Sequence, residues 1–341
     1  MNPPWFEDSD SEDDDWMSES IRKYTHYFKY NMDQMPLKVQ FHPNGKLMLV
    51  LNETSSRKYE ILVYKIPAKL LAVSPKEEGL INSRELSLIC GFYSQEAILD
   101  CDFHHQNLIV FAKTLGFCKV LKRKDDTSDL LIESIKFPLL PSLNLTSIRL
   151  AAFKYGIEDL KKFEFHQEEL MNVLDFMAYD ETKVIIIAKA NKILFKNQDR
   201  QKEIPYNKQM TCVKMKRTGP RINLVSQDNE NQLYTATYES EEKLEWAKLE
   251  LNFSNLPALS QFLWIGDSKL ALRHEKKIQV FDLLSKDSVF AQEASKKSTQ
   301  MSDFDVHPTL PNVLCCCDNG KSLFLFQFQS NQKPQCAGNQ V

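Results

Sequence analysis

Residues 37–51 have the sequence Leu-Lys-Val-Gln-Phe-His-Pro-Asn-Gly-Lys-Leu-Met-Leu-Val-Leu, which contains the clearest structural signal in the chain. An alternating strand precedes Asn44-Gly45, and a strongly apolar strand follows it. Asn-Gly between two apolar runs is typical of a hairpin, because a type I′ turn requires positive φ at both central residues. Another alternating strand follows at residues 61–66. The stretch therefore predicts a meander of short antiparallel strands.

The same pattern recurs along the chain at regular intervals. The clearest second copy comprises residues 304–308, 313–317, Asn319-Gly320 and 323–328, and weaker copies occupy residues 98–121, 173–195, 213–238 and 261–283. The final strands of the last four copies centre near residues 194, 235, 280 and 325, which are 41, 45 and 45 residues apart. These spacings match the ~40–45-residue period of a four-stranded propeller blade.

The interval between the strand centres near residues 119 and 194 is wide enough for one further unit. We place this unit at residues 145–165, which brings the predicted number of blades to seven. In the neighbouring segment 155–174, however, apolar residues recur at near-helical spacing. They are Ile157, Leu160, Phe163, Leu170 and Leu174. The sequence leaves open whether the third blade is complete or is replaced by a helical insertion at 155–174.

The repeat is physically reasonable only as an array of sheets. One four-stranded sheet has two apolar faces and cannot cover both of them, whereas sheets stacked in a ring cover one another. Strongly apolar strands such as Val184-Ile185-Ile186-Ile187 are typical of strands buried on both faces. We therefore predict an all-β fold, a seven-bladed propeller of four-stranded blades that occupies residues 36–329.

Three segments resemble the WD40 family of β-propellers: residues 39–45, 304–308 and 278–283. Neither a Trp-Asp nor a Gly-His dipeptide occurs in the chain, so the match is degenerate. Asp282 would occupy the position of the family's strand-ending Asp, with Phe281 in place of its Trp. The resemblance implies a rigid platform for protein or peptide partners, usually as a non-catalytic subunit of an assembly.

The N-terminal segment differs in character from the body. We divide the chain into a disordered acidic tail (1–20), a lead-in segment (21–35), the propeller (36–329) and a flexible C-terminus (330–341). Eight acidic residues precede Arg22, so the tail carries about −8 and the remainder about +5. Such a block cannot bury enough apolar surface to become ordered by itself.

Aromatic and apolar residues interrupt the acids of the tail: Trp5, Phe6, Trp16 and Met17. They are candidate anchors for a partner's groove, with the acids directing the tail toward a basic rim. The alternative, which the sequence does not exclude, is a solubilising tail that folds back on the basic body. Acids follow Ser9 and Ser11 as acidophilic kinases require, which predicts phosphorylation at both.

Two basic clusters are candidate contacts for nucleic acid or for an acidic partner. One contains Lys119, Lys122, Arg123 and Lys124, and the other contains Lys214, Lys216, Arg217 and Arg221. If they converge on one rim, they form an electrostatic footprint for RNA or DNA phosphates. The alternatives are neutralisation by the acidic tail or by Asp125 and Asp126, and simple exposure at strand ends.

The sequence contains no catalytic, cofactor or metal signature. Gly320-Lys321-Ser322 resembles the end of a phosphate-binding loop, but Cys315 occupies the position of the required glycine. His104 and His105 are adjacent, so they would point to opposite faces of a strand. His42 and His307 each precede proline in a repeated turn. The eight cysteines include no CxxC pair, and nine glycines are too few for a glycine-loop nucleotide fold.

These observations predict a non-catalytic scaffold. We expect a WD40-like subunit of a multiprotein complex, without cofactor, metal or small-molecule substrate, whose tail is an additional binding motif. The alternative is an accessory subunit of a nucleic-acid-processing assembly, for RNA modification or ribosome biogenesis, with the basic clusters on RNA. No apolar run approaches the ~18–20 residues of a membrane span, and the N-terminus lacks a signal-peptide pattern. We therefore expect a cytoplasmic or nuclear location without membrane insertion.

Overall fold

The computed structural model describes residues 24–328 with internal gaps. The gaps are residues 55–57, 69–78, 81–85, 105–106, 113–116, 124–129, 137–139, 141, 158, 161–166, 180–183, 197–199, 207, 220, 239–243, 253–260 and 275. The acidic tail (1–20) and the C-terminal segment (330–341) lie outside the described residues.

Six sheets account for most of the described residues; five contain four antiparallel strands each, and the sixth contains four antiparallel strands and one short parallel strand. Sheet I contains β2 (Met35–Phe41), β3 (Leu47–Glu53), β4 (Tyr59–Lys65) and β6 (Ser87–Ser94). Sheet II contains β7 (Asp100–His104), β8 (Asn107–Ala112), β9 (Phe117–Arg123) and β10 (Leu130–Lys136). Sheet III contains β11 (Val173–Tyr179), β12 (Val184–Lys189), β13 (Lys192–Lys196) and β14 (Gln201–Pro205).

The remaining three sheets complete the repeat. Sheet IV contains β15 (Met210–Thr218), β16 (Arg221–Asp228), β17 (Leu233–Tyr238) and β18 (Trp246–Lys248). Sheet V contains β19 (Gln261–Ile265), β20 (Lys269–His274), β21 (Lys277–Asp282) and β22 (Ser288–Glu293). Sheet VI contains β23 (Met301–Val306), β24 (Val313–Asp318), β25 (Ser322–Phe328), β1 (Tyr24–Asn31) and the two-residue β5 (Gly79–Leu80).

Sheet VI joins the two ends of the described chain. Strand β1 pairs antiparallel with β25, so that Tyr24 lies opposite Phe328 and Asn31 opposite Ser322. The segment 21–35, expected as a lead-in, thus contributes a strand to the last sheet. Pairing of distant strands closes the ring without leaving a long free edge on either partner.

The first strand of each sheet lies innermost and contacts the first strand of the next. Strands β11, β15, β19 and β23 follow one another in this way, and β23 contacts β2. Side chains of β2 reach β7, as the bonds of Lys38 and Gln40 to Asp100 and Asp102 show. Helix α1 (Leu145–Tyr155) contacts both β7 and β11 and completes the cycle. Six sheets and one helix thus form a closed ring.

A separate hydrophobic core fills each junction of the ring. Leu49 and Leu51 of sheet I pack with Cys101 and Val110 of sheet II, for example. Equivalent clusters lie between sheets III and IV, IV and V, V and VI, and VI and I. The stabilising apolar burial therefore occurs between sheets, as the array prediction requires.

Helix α1 occupies the sector in which we predicted a seventh sheet. Residues 145–155 form a helix rather than strands, so the prediction of seven sheets is not confirmed in the part of the chain described. Asn144 caps the helix, because its Oδ1 accepts from the backbone N–H of Ser147 at 2.8 Å. Ile148 and Leu150 are completely buried against sheets II and III. Of the two alternatives that the sequence left open, a helix replaces the blade, but it occupies residues 145–155, whereas the described part of 155–174 contains a short 3₁₀ helix at Glu168–Leu170 and the start of β11.

The two Asn-Gly turns differ from the predicted type I′ geometry. In the first turn only Gly45 has positive φ (68°), and its N–H donates to the carbonyl of His42 at 2.8 Å. In the second turn the positive φ falls on Lys321 (68°). Longer hairpin loops combine a turn with negative φ values and one following residue in the left-handed conformation. Pro43 suits such a loop, because its ring fixes φ at a negative value.

Candidate functional site

Two carboxylates on the innermost strand of sheet VI form hydrogen bonds with sheet I. Asp303 Oδ2 accepts from the backbone N–H of Val39 at 3.1 Å, and Asp305 Oδ2 accepts from that of Phe41 at 2.8 Å. Burial raises the pKa of both carboxyls, and that of Asp305 rises to about 7 because its bonds to backbone N–H groups offset burial only in part. Both groups join sheet VI to sheet I, and Asp305, which is only partly buried, also lines the cavity described below.

The raised pKa of Asp305 predicts a pH dependence of stability. Because the folded protein holds a proton that the unfolded chain releases, the free energy of unfolding should fall as the pH rises from about 4 to about 7. Asp305→Asn removes this proton uptake. We expect the variant to gain about 1–2 kcal/mol relative to the wild type between pH 5 and pH 8, by urea unfolding. Equal slopes of stability against pH in the two proteins would contradict the assignment.

Charged side chains fill the junction of sheets I and II. Lys38 pairs with Asp100 and donates to the carbonyl of Cys101 at 2.6 Å. Burial lowers the pKa of Lys38, but the nearby carboxylates, Asp100 foremost, outweigh burial and raise it overall. Asp102 binds both Gln40 and the helix residue Arg149. Because these opposite charges neutralise one another, we infer that the side chains hold neighbouring parts of the ring together.

The two His-Pro turns support this structural assignment. Nδ1 of His307 accepts from the N–H of Leu310 at 3.0 Å, and its Nε2 lies 2.7 Å from the carbonyl oxygen of Gly45 in sheet I. His42 Nδ1 accepts from the N–H of Asn44 at 3.1 Å. Burial lowers the pKa of both imidazoles. His307 therefore bridges two sheets, and His42 shapes its own turn.

A cavity of 410 Å³ opens where the innermost strands of sheets IV, V and VI end. We call it the inner-strand cavity. Its lining combines basic and apolar side chains with the turn after β23: Lys214, Met215, Lys216, Leu263, Trp264, Gly266, Asp305, Val306, His307, Pro308, Thr309 and Pro311. The indole N–H of Trp264 donates to the carbonyl of Lys214 at 3.1 Å, which fixes the ring against sheet IV. Lys216 pairs with Asp267 at 3.0 Å. The site suits an acidic segment that carries an apolar side chain.

Strand β6 forms a second candidate surface, at the outer edge of sheet I. Its sequence, Ser-Leu-Ile-Cys-Gly-Phe-Tyr-Ser, contains no charged residue. Leu88, Ile89 and Tyr93 are 55%, 52% and 70% exposed, and they account for three of the five exposed large apolar side chains in the described residues. A register shift opposite Val63 and Tyr64 leaves Ile89 as an extra residue of the strand. We call this surface the β6 edge.

The predicted site residues fall into three groups. Trp5, Phe6, Ser9, Ser11, Trp16 and Met17 lie outside the described residues, as do Lys124 and the side chains of Lys119, Lys122 and Arg123 on β9. Lys214 and Lys216 line the inner-strand cavity. Arg217 donates from Nε to the carbonyl of Gly219 at 2.9 Å, and Arg221 begins β16.

The two basic clusters lie in different sectors of the ring. Strand β9 belongs to sheet II and β15 to sheet IV, with helix α1 and sheet III between them. The strands that carry the two clusters are therefore not adjacent, and contact of these residues with nucleic acid or an acidic partner stays a prediction.

The cysteine run is part of the core between sheets. Cys315, Cys316 and Cys317 are completely buried on β24, and burial raises the pKa of each thiol well above its usual value. Such thiols are poor nucleophiles and poor metal ligands. Across the described ranges, no group of three or more His, Cys, Asp or Glu residues could hold a metal ion. No helix within those ranges is long and apolar enough to cross a membrane.

The inner-strand cavity and the β6 edge were not predicted from the sequence. The signal for the edge was present, because residues 87–94 are apolar, free of charge and free of proline. Nothing local in the sequence indicated the cavity, since strand ends from three different sheets and the turns after β19 and β23 form it.

The closed ring of four-stranded antiparallel sheets fits the β-propeller class. No protein-family model matches the sequence, and no curated protein matches it significantly. Among solved structures, the chain is similar to Raptor from Chaetomium thermophilum, with a TM-score of 0.58 and 11% sequence identity. The similarity covers 91% of this chain but only 29% of that Raptor chain. At this identity the likeness shows the fold and nothing about activity.

Proposed function

We propose that this chain is a non-catalytic interaction scaffold, a WD40-like propeller subunit of a multiprotein complex. The observation that carries the proposal is the β6 edge, an eight-residue outer strand with no charge and with three large apolar side chains exposed. An edge of this kind presents unpaired backbone groups to which another extended chain can add.

The outer strands of the other sheets carry features that block such pairing. Strand β10 includes Glu133 and Lys136, β14 includes Lys202, Glu203 and Pro205, β18 has three residues, β22 ends in Glu293 and β5 has two residues. Charges, proline and short length are common protections of sheet edges. Since the β6 edge lacks all three, we infer that a partner covers it.

The partner's contribution is an extended apolar segment that pairs with β6 as a further strand. Main-chain hydrogen bonds would supply part of the affinity, and the exposed side chains of Leu88 and Tyr93 would select alternating apolar residues. Gly91, also exposed, leaves a shallow position between these two side chains.

The test is a double substitution, Leu88→Lys with Ile89→Lys, in the full chain expressed in cells. We expect at least a tenfold loss of the co-purifying subunits in quantitative affinity purification, about 1.4 kcal/mol or more of binding free energy. Leu284→Lys is the matched control, because Leu284 is 87% exposed in the turn after β21. If both variants retain the same subunits at wild-type levels, the β6 edge is not the docking strand.

We propose in addition that the acidic N-terminal segment is a binding motif, with Trp5, Phe6, Trp16 and Met17 as its anchors. The accessory role in RNA processing draws no support from the basic clusters. Helix α1 and sheet III separate the two clusters, and Lys216 is already paired with Asp267. Absence of a catalytic site is likewise part of the proposal. It is consistent with the assignment of the buried charged groups to contacts between sheets.

A further inference from the structure

Strand β1 begins at the end of sheet VI that also borders the inner-strand cavity. Tyr24 lies opposite Phe328 on β25, and the neighbouring Gln327 lies opposite Val313 on β24. Val313 directly follows the turn whose residues His307 to Pro311 form one wall of the cavity. Residues 1–23 are therefore attached at the same end of sheet VI as the cavity.

The acidic residues are close enough in sequence to reach the cavity. Strand β1 is the fourth strand of sheet VI counted from β23, so about 14 Å separates the two strands. Asp15 precedes Tyr24 by nine residues, which span up to about 30 Å when extended. Glu7 precedes Tyr24 by seventeen residues and has a longer reach still.

The charge of the cavity rim complements that of the segment. The hairpin of β15 and β16 carries four basic residues, Lys214, Lys216, Arg217 and Arg221, whereas its one acidic residue, Asp228, lies at the far end of the strands and pairs with Lys208. Asp267 pairs with Lys216, Asp175 lies near Lys214, and Asp305 adds one carboxylate to the lining. The segment carries eight acids before its first basic residue. Electrostatic attraction between them would be long-ranged but sensitive to salt.

The apolar part of the cavity matches the aromatic residues of the segment. Trp264, Leu263 and Pro311 line its wall. Trp16 directly follows Asp13-Asp14-Asp15. Its aromatic ring and these carboxylates can therefore occupy the cavity and its rim at the same time. Tryptophan in an apolar pocket with charges at its rim is a common anchor arrangement.

We propose that residues 7–19 bind in cis across the inner-strand cavity, with their acids on Lys214, Lys216, Arg217 and Arg221 and with Trp16 against Trp264 and Pro311. This inference gives Trp16 a site within this chain in place of a partner's groove, and it is independent of the β6 edge. The bound segment excludes other acidic ligands from the cavity, and phosphate on Ser9 or Ser11 strengthens its hold.

The test is zero-length carbodiimide cross-linking of the full chain, with peptides mapped by mass spectrometry. We expect links from carboxylates of residues 7–19 to Lys214 and Lys216. Lys277, Lys296 and Lys297 lie at the opposite ends of the strands. Links to these three lysines should be at least about fivefold fewer than links to Lys214 and Lys216. The Lys216–Asp267 ion pair supplies an internal link that reports an intact cavity.

Charge reversal beside the lysines separates attraction from mere proximity. Arg217→Glu with Arg221→Glu keeps both lysines and should reduce the tail-to-lysine links by about threefold or more. Lys276→Glu with Lys277→Glu, at the opposite end, should leave them unchanged. Mixing isotope-labelled and unlabelled chains distinguishes cis from trans. No links from residues 7–19 to Lys214 or Lys216, or links only between differently labelled chains, would overturn the proposal.

Discussion

Replacing Gly45 with alanine should destabilise the protein by about 3 kcal/mol. The added Cβ has no room at this position, and alanine disfavours the left-handed backbone conformation that Gly45 adopts. The added atom would lie 2.5 Å from Cε1 of His307, and φ at Gly45 is +68°. The imidazole would have to move, and its contact with the Gly45 carbonyl would be lost. Urea unfolding monitored by circular dichroism measures the change.

Gly266→Ala is the matched control for this substitution. Gly266 also has positive φ (+52°), but a Cβ added there would meet only Pro311, at an ordinary distance of 3.4 Å. We expect a loss of about 1 kcal/mol from backbone conformation alone. If the two variants lose equal stability, close packing between sheets I and VI at Gly45 is not important.

Truncation of Ile148 to alanine should cost about 3 kcal/mol, as expected for a fully buried aliphatic side chain in a core. Ile148 is completely buried in the cluster that joins helix α1 to sheets II and III. Because the helix takes the place of a sheet in the ring, the cavity left by the truncation should loosen the neighbouring junctions. Hydrogen exchange should rise in β7 and β11, measured by mass spectrometry.

Thr146→Ala provides the control on the same helix. Thr146 is only partly buried and lies one turn or less from Ile148, so we expect a change within about 0.5 kcal/mol. Faster exchange confined to the helix in Ile148→Ala, with β7 and β11 unchanged, would show that the helix is an appendage rather than a sector of the ring.

The sequence predicted the sheets well because the relevant signals are local. Alternation of apolar residues, strongly apolar second strands and turn residues all act within a few positions. The strands predicted at residues 47–51, 184–188 and 313–317 are present as Leu47–Glu53, Val184–Lys189 and Val313–Asp318. The period of the repeat then indicated a ring, and the hydrophobic cores between sheets agree with that prediction.

The helical sector was mistaken for strands because the regular spacing of the units outweighed a weaker local signal. Asn144 as a cap and the spacing of Leu145, Ile148 and Ala152 do indicate a helix beginning at that point. Only the structure shows that such a helix can fill one sector of the ring. It covers the apolar faces of two sheets just as another sheet would.

Features that depend on distant parts of the chain could not be predicted. The pairing of β1 with β25 is set by closure of the ring rather than by the composition of either strand. The exposure of Leu88 and Ile89 follows from the outer position of β6, since an apolar strand of this composition is usually buried. The inner-strand cavity forms only where the ends of β15, β19 and β23, from three different sheets, come together.

The sharing of sheet VI between the first and last described strands affects how the protein is made. About 300 residues separate Tyr24 from its partner Phe328, which a ribosome synthesises in roughly 15–60 s. During that time the nascent β1 strand has no permanent partner, and the faces of sheets I and V that border sheet VI remain uncovered. Sheet VI, and with it the closed ring, can therefore form only after residue 328 has been synthesised.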